Sequence, residues 1–432
     1  MMWNREYEAM SRDALRKHQS EKLKQVVQRV YDRVPFYRNK MDAIGVKPRD
    51  IVSIRDIVKL PFTTKDEMRD VYPYGLCASD MRDIVEIHTS SGTTGKPVVD
   101  AYTQNDIDIW SEVMARTLTM GGTTRDDIVH NAYGYGLFTG GLGVHYGARR
   151  IGATVIPISG GNTKRQLAVM KDFKSSILTC TPSYSLYLAE VAREEGIDFE
   201  SLKIRAGMFG AEPWSENMRT EIQNKLHCKA FDIYGLTEII GPGVGIECHE
   251  QAGLHIFEDH FLVEIVDPET DEVLPDGQEG ELIITTLTKQ AFPMIRYRTH
   301  DITSIIPERC ACGRTIRRIS RIRSRSDDMM IFRGVNVFPS QIEAALLSVE
   351  ETVPHYQILL TRKGGLDQIE VQVEVTKEMF GDRISELEGM QARLTHAIDH
   401  ITGLRVPVRL VEPNTIARSE GKAKRVIDNR NQ

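Results

Sequence analysis

Apolar and polar positions along this chain fall into a repeating order of short strands and amphipathic helices. Residues 7–37 carry helical spacing, with a stop expected near Pro35. Residues 84–90 alternate and are rich in β-branched side chains, which predicts a strand. A Gly/Thr/Ser loop follows, then a second short strand over 98–102. Thr103 or Asn105 is placed to cap an amphipathic helix that ends at Gly121-Gly122. From there to about residue 240, strands are expected over 153–158, 176–180, 204–209 and 230–234, with helices over 163–173 and 184–195. Strands separated by helices argue for an α/β fold with a mostly parallel sheet.

After residue 250 the texture changes. Residues 255–266, 280–286 and 302–306 read as strands joined by turns such as Pro275-Asp276-Gly277. This predicts a β-rich subdomain at about 250–326 within a large N-terminal domain, 1–326. Asp327-Asp328 then opens a tail expected to form a small α/β domain, 327–432.

The strongest chemical signal is Thr89-Ser90-Ser91-Gly92-Thr93-Thr94-Gly95-Lys96-Pro97. Glycines let backbone approach an anion, and hydroxyls and amides donate to phosphate oxygens. It is not a Walker A loop: two residues rather than four separate Gly92 from Gly95, and Pro97 follows the lysine where that motif needs Ser or Thr and a helix. A phosphate clamp between two strands is expected instead. Tyr234-Gly235-Leu236-Thr237-Glu238 follows a strand, where α/β sheets bind ligands. In Arg296-Tyr297-Arg298-Thr299-His300-Asp301, the aspartate could accept ribose hydroxyls. Two further strings are Arg325-Ser326-Asp327-Asp328 and, near the end, Arg418-Ser419-Glu420-Gly421-Lys422-Ala423-Lys424-Arg425.

In this order, and together with Tyr133-Gly134-Tyr135-Gly136-Leu137-Phe138, Gly210-Ala211-Glu212-Pro213-Trp214 and Gly334-Val335-Asn336-Val337-Phe338-Pro339, these strings resemble the adenylate-forming superfamily. Within it, the match is to the phenylacetate–CoA ligase family, over nearly the whole chain. The resemblance implies a ligase that activates an aryl carboxylic acid with ATP and Mg²⁺, then passes it from the acyl-adenylate to coenzyme A. A carrier protein as thiol acceptor stays open. The resemblance places Ser90, Ser91, Gly92, Thr93, Thr94, Gly95 and Lys96 on the β- and γ-phosphates and Thr237 on the α-phosphate. Glu238 is placed on Mg²⁺. Gly210, Ala211, Glu212 and Pro213 line one side of the adenine, and Asp232, Ile233, Tyr234 and Gly235 the other. Asp301 and Arg325 bind ribose. Lys422 is the adenylation lysine, with Lys424 as the alternative. Asp327 is the hinge about which the C-terminal domain moves to bring the Arg333-Gly334-Val335 loop to the pantetheine thiol. Two positions depart from the family pattern, His300 and Ser324, both usually glycine. Tyr135, Phe138 and Gly136 form the expected acyl pocket, where rings can cover an aromatic acid. A homodimer is implied as well.

Six cysteines are too sparse for a disulfide framework. Cys310-Ala311-Cys312 is a tight chelating turn, and Cys248, His249, His255 and His260 precede it. A structural zinc site of Cys248, His255, Cys310 and Cys312 is expected. The net charge of -6 points away from nucleic acid and anionic membrane. The eight arginines from Arg309 to Arg333 lack interleaved aromatics, and a CoA phosphate also wants arginines. The charged N-terminus carries no signal core, so a cytoplasmic enzyme is expected.

Overall fold

In a computed structural model, the chain is described apart from residues 91–96, 329, 333–334, 350–354, 364–365, 377–378, 380–383, 419–422 and 431–432. It divides into two compact units. The first comprises Met1–Cys180, Leu202–Ala211 and Lys229–Arg321, and the second Thr181–Ser201, Glu212–Cys228 and Ile322–Gln432.

The first unit opens with helices Arg12–Arg33 and Pro35–Ala43. Pro35 does end the first helix, but it also starts the next at N1, where its missing N–H costs nothing. Strands β1 (Ile84–Thr89) and β2 (Val99–Thr103) pair antiparallel on the two sides of the Ser/Thr/Gly motif. Thr103 rather than Asn105 caps helix Gln104–Met120, in a reciprocal capping box with Asp106. The central sheet uses β3 (Ile128–Asn131), β4 (Thr154–Ile156), β5 (Ile177–Cys180), β6 (Ala206–Gly210) and β7 (Lys229–Leu236), then β8 (Gly241–Glu247) and β9 (Leu254–Ile256). Strands β10 (Phe261–Val266), β11 (Gly280–Thr286) and β12 (Tyr297–Thr303) pair antiparallel in a second sheet. The short strands β13 (Ile305–Ile306) and β14 (Arg318–Ile319) return to the first, whose order is β13-β14-β9-β8-β7-β6-β5-β3-β4. Pairing is parallel from β4 to β7 and antiparallel from β7 onward. The strand expected over 255–266 is therefore two strands in two sheets, split by a turn at Phe257–His260.

In the second unit, helices Pro182–Glu194 and Glu216–Leu226 pack together. The chain continues through β15 (Ser324–Arg325), the hairpin β16 (Met330–Phe332) and β17 (Val335–Val337), then β18 (Tyr356–Lys363), β19 (Leu366–Glu374), β20 (Val408–Val411) and β21 (Val426–Asp428). The last four form one sheet in the order β20-β19-β18-β21. Helices Pro339–Leu346 and Ile384–Thr402 set Ile342, Leu346, Met390, Leu394 and Ile398 against Ile358, Val371 and Val373 of that sheet. Each such buried side chain is worth about 1.5–3 kcal/mol relative to exposure, which is why this short segment holds a core of its own.

Candidate active site

Strand β7 is where the central sheet changes from parallel to antiparallel. Its C-terminal end is thus the kind of edge where α/β sheets place ligands. Tyr234-Gly235-Leu236 close the strand, and Thr237-Glu238 lie in the turn to β8. A Cβ on Gly235 would stand 2.2 Å from the Gly241 carbonyl oxygen, so only glycine lets the turn close. Glu238 is 5% exposed, and its Oε1 lies 3.0 Å from Lys65 Nζ.

The Tyr234 hydroxyl donates to Asp301 Oδ2 at 2.5 Å, so the sheet joins two residues that lie in separate motifs. Register also places Gly210, at the end of β6, beside Ile233. Ala211 follows with φ 71°. Asp232 donates its N–H to Glu247 Oε2 at 2.9 Å, and Arg321 lies 3.5 Å from the Asp232 carboxylate. His300 has φ 64°, the left-handed backbone that a glycine would adopt freely. Glu281 supports it there, accepting the His300 N–H at 3.0 Å across a register shift between β11 and β12. Beside this departure from the family's glycine, Asp301 accepts the Tyr234 hydroxyl. Ser324, the other departure, lies in a short strand and does not have positive φ.

At the base of the β1–β2 hairpin, Ser90 Oγ accepts the Val98 N–H at 3.1 Å. Ser91, Gly92, Thr93, Thr94, Gly95 and Lys96 lie outside the described residues, as do Arg333, Gly334 and Lys422. Val335 begins β17, and its backbone pairs with Phe332. In the second unit, Arg325 makes a two-bond contact with Asp327, Nε to Oδ1 and Nη2 to Oδ2, both at 2.9 Å. The expected ribose arginine and the expected hinge aspartate are thus partners. The Glu212 carboxylate accepts the N–H groups of Ser183 at 2.7 Å and Ala423 at 3.0 Å, and it also bonds the Ser183 hydroxyl.

Tyr135 is half-buried. Its hydroxyl accepts from Asn131 Nδ2 at 2.8 Å and lies 3.3 Å from His145 Nδ1. Burial pushes its phenol up to about 12, against the Asn131 bond, so it stays a neutral aromatic surface. Gly136 has φ 109°, and a Cβ there would meet nothing within 4 Å, leaving open space beside the ring. Phe138 is 52% exposed and takes no part in the core, whereas Tyr133 is buried.

Cys248, His255, Cys310 and Cys312 offer ligand atoms that all lie within 4.8 Å of one another. Cys248 Sγ stands 3.6 Å from Cys310 Sγ, and Cys312 Sγ 3.4 Å from His255 Nε2. A tetrahedral zinc with Zn–S of about 2.3 Å needs ligand atoms roughly 3.5–3.8 Å apart, so the donor set fits. His255 Nδ1 donates to the Ile316 carbonyl at 3.3 Å, which aims the Nε2 lone pair at the cluster. Burial pushes the Cys248 thiol up to about 12. Burial also raises Cys312, but with metal absent the hydrogen bonds from a protonated His255 and from Arg314 outweigh it and bring that thiol to about 5.

The AMP-binding enzyme family model matches residues 7–288, and the AMP-binding enzyme C-terminal domain matches 334–430. Phenylacetate-coenzyme A ligase of Thermus thermophilus is 47% identical, across 99% of each chain. That of Escherichia coli is 49% identical, across 98% of this chain and 97% of its own. Among solved structures, 2-hydroxyisobutyryl-CoA ligase in the postadenylation state with 2-HIB-AMP superposes with a TM-score of 0.94 at 28% identity, covering 99% of this chain and 92% of that one. The chain belongs to the phenylacetate–CoA ligase family of AMP-binding enzymes. As a member of this family it is an ATP-dependent acid–thiol ligase that makes a CoA thioester through an acyl-adenylate. No helix among the described residues is long and apolar enough to cross a membrane.

Several partners in this family member's site carry no motif. Lys65 reaches Glu238 from far upstream, and Asn131 and His145 pin Tyr135. Lys289, fully buried, pairs with Asp100 on β2 and donates to the Ile239 carbonyl at 2.9 Å, one residue past Glu238. It therefore ties the β1–β2 hairpin to the β7–β8 turn. No periodicity or spacing marks such a lysine in advance.

Proposed function

We propose that the acid is an arylacetate, phenylacetate foremost. What carries this is the likeness over whole length, at 47–49% identity, to enzymes named for that substrate. The half-buried Tyr135 ring beside the open Gly136 supports it, since a flat apolar acid can lie against a ring held by its hydroxyl. In this reading Ser90 to Lys96 hold the β- and γ-phosphates and Thr237 the α-phosphate. Glu238, paired here with Lys65, would hold Mg²⁺, whose charge would offset that of the triphosphate. The adenine lies between the Gly210–Pro213 segment and Asp232–Gly235, with the ribose at Asp301 and Arg325. Lys422 bridges carboxylate and phosphate as negative charge develops. Domain 327–432 then turns about Asp327, and Arg333-Gly334-Val335 meet the pantetheine. Cys248, His255, Cys310 and Cys312 hold a structural zinc. The working enzyme is a cytoplasmic homodimer.

The test is AMP release from ATP with a panel of carboxylic acids, each with and without CoA. CoA-dependent turnover highest with aryl acetates is expected. Preference for short aliphatic acids overturns the substrate assignment, and acid-dependent adenylate that never passes to CoA points to a carrier protein. In the same assay, Tyr135→Ala lowers kcat/KM for the aryl acid by about tenfold to a hundredfold, the loss of one buried ring face. KM for ATP stays within about twofold, because the ring makes no call on the nucleotide. Unchanged acid selectivity would remove Tyr135 from the pocket.

A further inference from the structure

The tail that carries Lys422 is gripped on both sides by carboxylates from earlier in the second unit. On one side, Arg418 Nε and Nη2 lie 3.3 and 3.2 Å from the two oxygens of Glu190, on helix Pro182–Glu194. Its Nη1 and Nη2 donate to Glu374 at 2.8 and 2.7 Å. Glu190 also faces His355 Nε2 at 3.2 Å. On the other side, Glu212 binds the Ala423 N–H and both the N–H and hydroxyl of Ser183, at the start of the same helix. Beyond it, the Arg425 guanidinium stacks 4.4 Å over the Tyr356 ring.

The two carboxylates around Arg418 do different work. Glu374 accepts the N–H groups of Asn414 at 3.2 Å and Ile416 at 2.7 Å, so it shapes the turn that leads to Arg418. Glu190 shapes no turn; it anchors the finished turn to a helix. Burial would raise its carboxyl, but His355 and Arg418 hold it down at about 2, so the anchor is charged throughout the working range.

We infer that Glu190 is a positioning residue that, by holding Arg418 four residues before Lys422, serves acyl-adenylate formation and is dispensable for thioester formation. This rests on the reading that Lys422 serves the adenylation step. A lysine stem is long and flexible, so its ammonium is only as well placed as its backbone. Glu190 holds the described chain at Arg418, just before residues 419–422. Contacts of this kind are ion pairs and single hydrogen bonds rather than a packed core, and so can be given up once the adenylate has formed.

Glu190→Gln tests the inference, since it is nearly isosteric and Arg418 keeps Glu374, and an unchanged melting temperature is the check on its fold. Two single-turnover assays on the full-length enzyme are compared: pyrophosphate release from acid and MgATP, and thioester formation from supplied acyl-adenylate and CoA. The first slows by about tenfold to a hundredfold, as a displaced reacting group costs. The second, and KM for ATP, stay within about twofold. Equal slowing of both steps marks a merely structural role and overturns the inference, as does an unaffected first step. Lys422→Ala is run alongside. If it spares adenylation, the Lys422 assignment fails whatever Glu190 does. If it abolishes adenylation while Glu190→Gln is normal, the clamp alone fails. Arg418→Lys, which keeps the charge but loses the two-carboxylate fork, should fall between wild type and Glu190→Gln in the first assay only.

Discussion

Lys422→Ala slows acyl-adenylate formation from acid and ATP by a factor on the order of 10²–10³, while thioester formation from supplied acyl-adenylate and CoA continues near its normal rate. The argument is electrostatic. An anionic carboxylate must approach an anionic triphosphate, and the charge on the transferring phosphate has to be met where it develops. Mg²⁺ would offset charge on the phosphates, but the attacking oxygen needs its own cation, the role proposed for the Lys422 ammonium. In the second step a thiolate attacks a neutral acyl carbon and AMP departs, so this cation has no comparable work. The measurement is single-turnover pyrophosphate release against thioester formation. Lys424→Ala is the control. If it, rather than Lys422→Ala, shows the split, the role moves two residues along the chain. If neither does, the adenylation cation lies elsewhere.

The second large effect is on stability. The purified protein should carry about one zinc per chain, and chelating it, or making Cys248→Ser, should lower stability by several kcal/mol, enough to unfold this unit well below the melting temperature of the intact protein. The four candidate ligands join distant parts of the first unit: the residue after β8 and the middle of β9 to the loop before β14. Metal binding to preformed donors acts directly as folding free energy. Elemental analysis of the purified protein and calorimetry with and without chelator measure it. A folded, zinc-free protein whose melting temperature ignores chelators would show the cluster to be reduced thiols alone. A serine hydroxyl holds zinc poorly but fills the same space, so loss of packing does not mimic the effect.

Much of the architecture was open to reading from local pattern. Most strands of the parallel sheet and the capped helix after Thr103 announce themselves through periodicity and capping residues, whereas the small α/β tail was expected from its length alone. Strands β3 and β8 did not. In β8, Gly241-Pro242-Gly243-Val244-Gly245 lacks strand propensity, and its pairing with β7 and β9 overrides that. The break between β9 and β10 was likewise invisible, because an apolar run does not reveal that its two halves join different sheets.

The sequence by itself determined most strands of the parallel sheet, the Ser/Thr/Gly motif between two strands, the Tyr-Gly-Leu-Thr-Glu string after a strand, and the family. All of these depend on neighbours within a few residues, where sterics and hydrogen-bond spacing act directly. Only the tertiary structure decided the pairs: Lys65 with Glu238, Tyr234 with Asp301, Asn131 and His145 with Tyr135, Lys289 with Asp100, and Arg418 with Glu190. Such partners lie far apart along the chain, and an ion pair or a hydrogen bond leaves no mark on sequence until burial in a sheet or against a helix brings its two ends within about 3 Å.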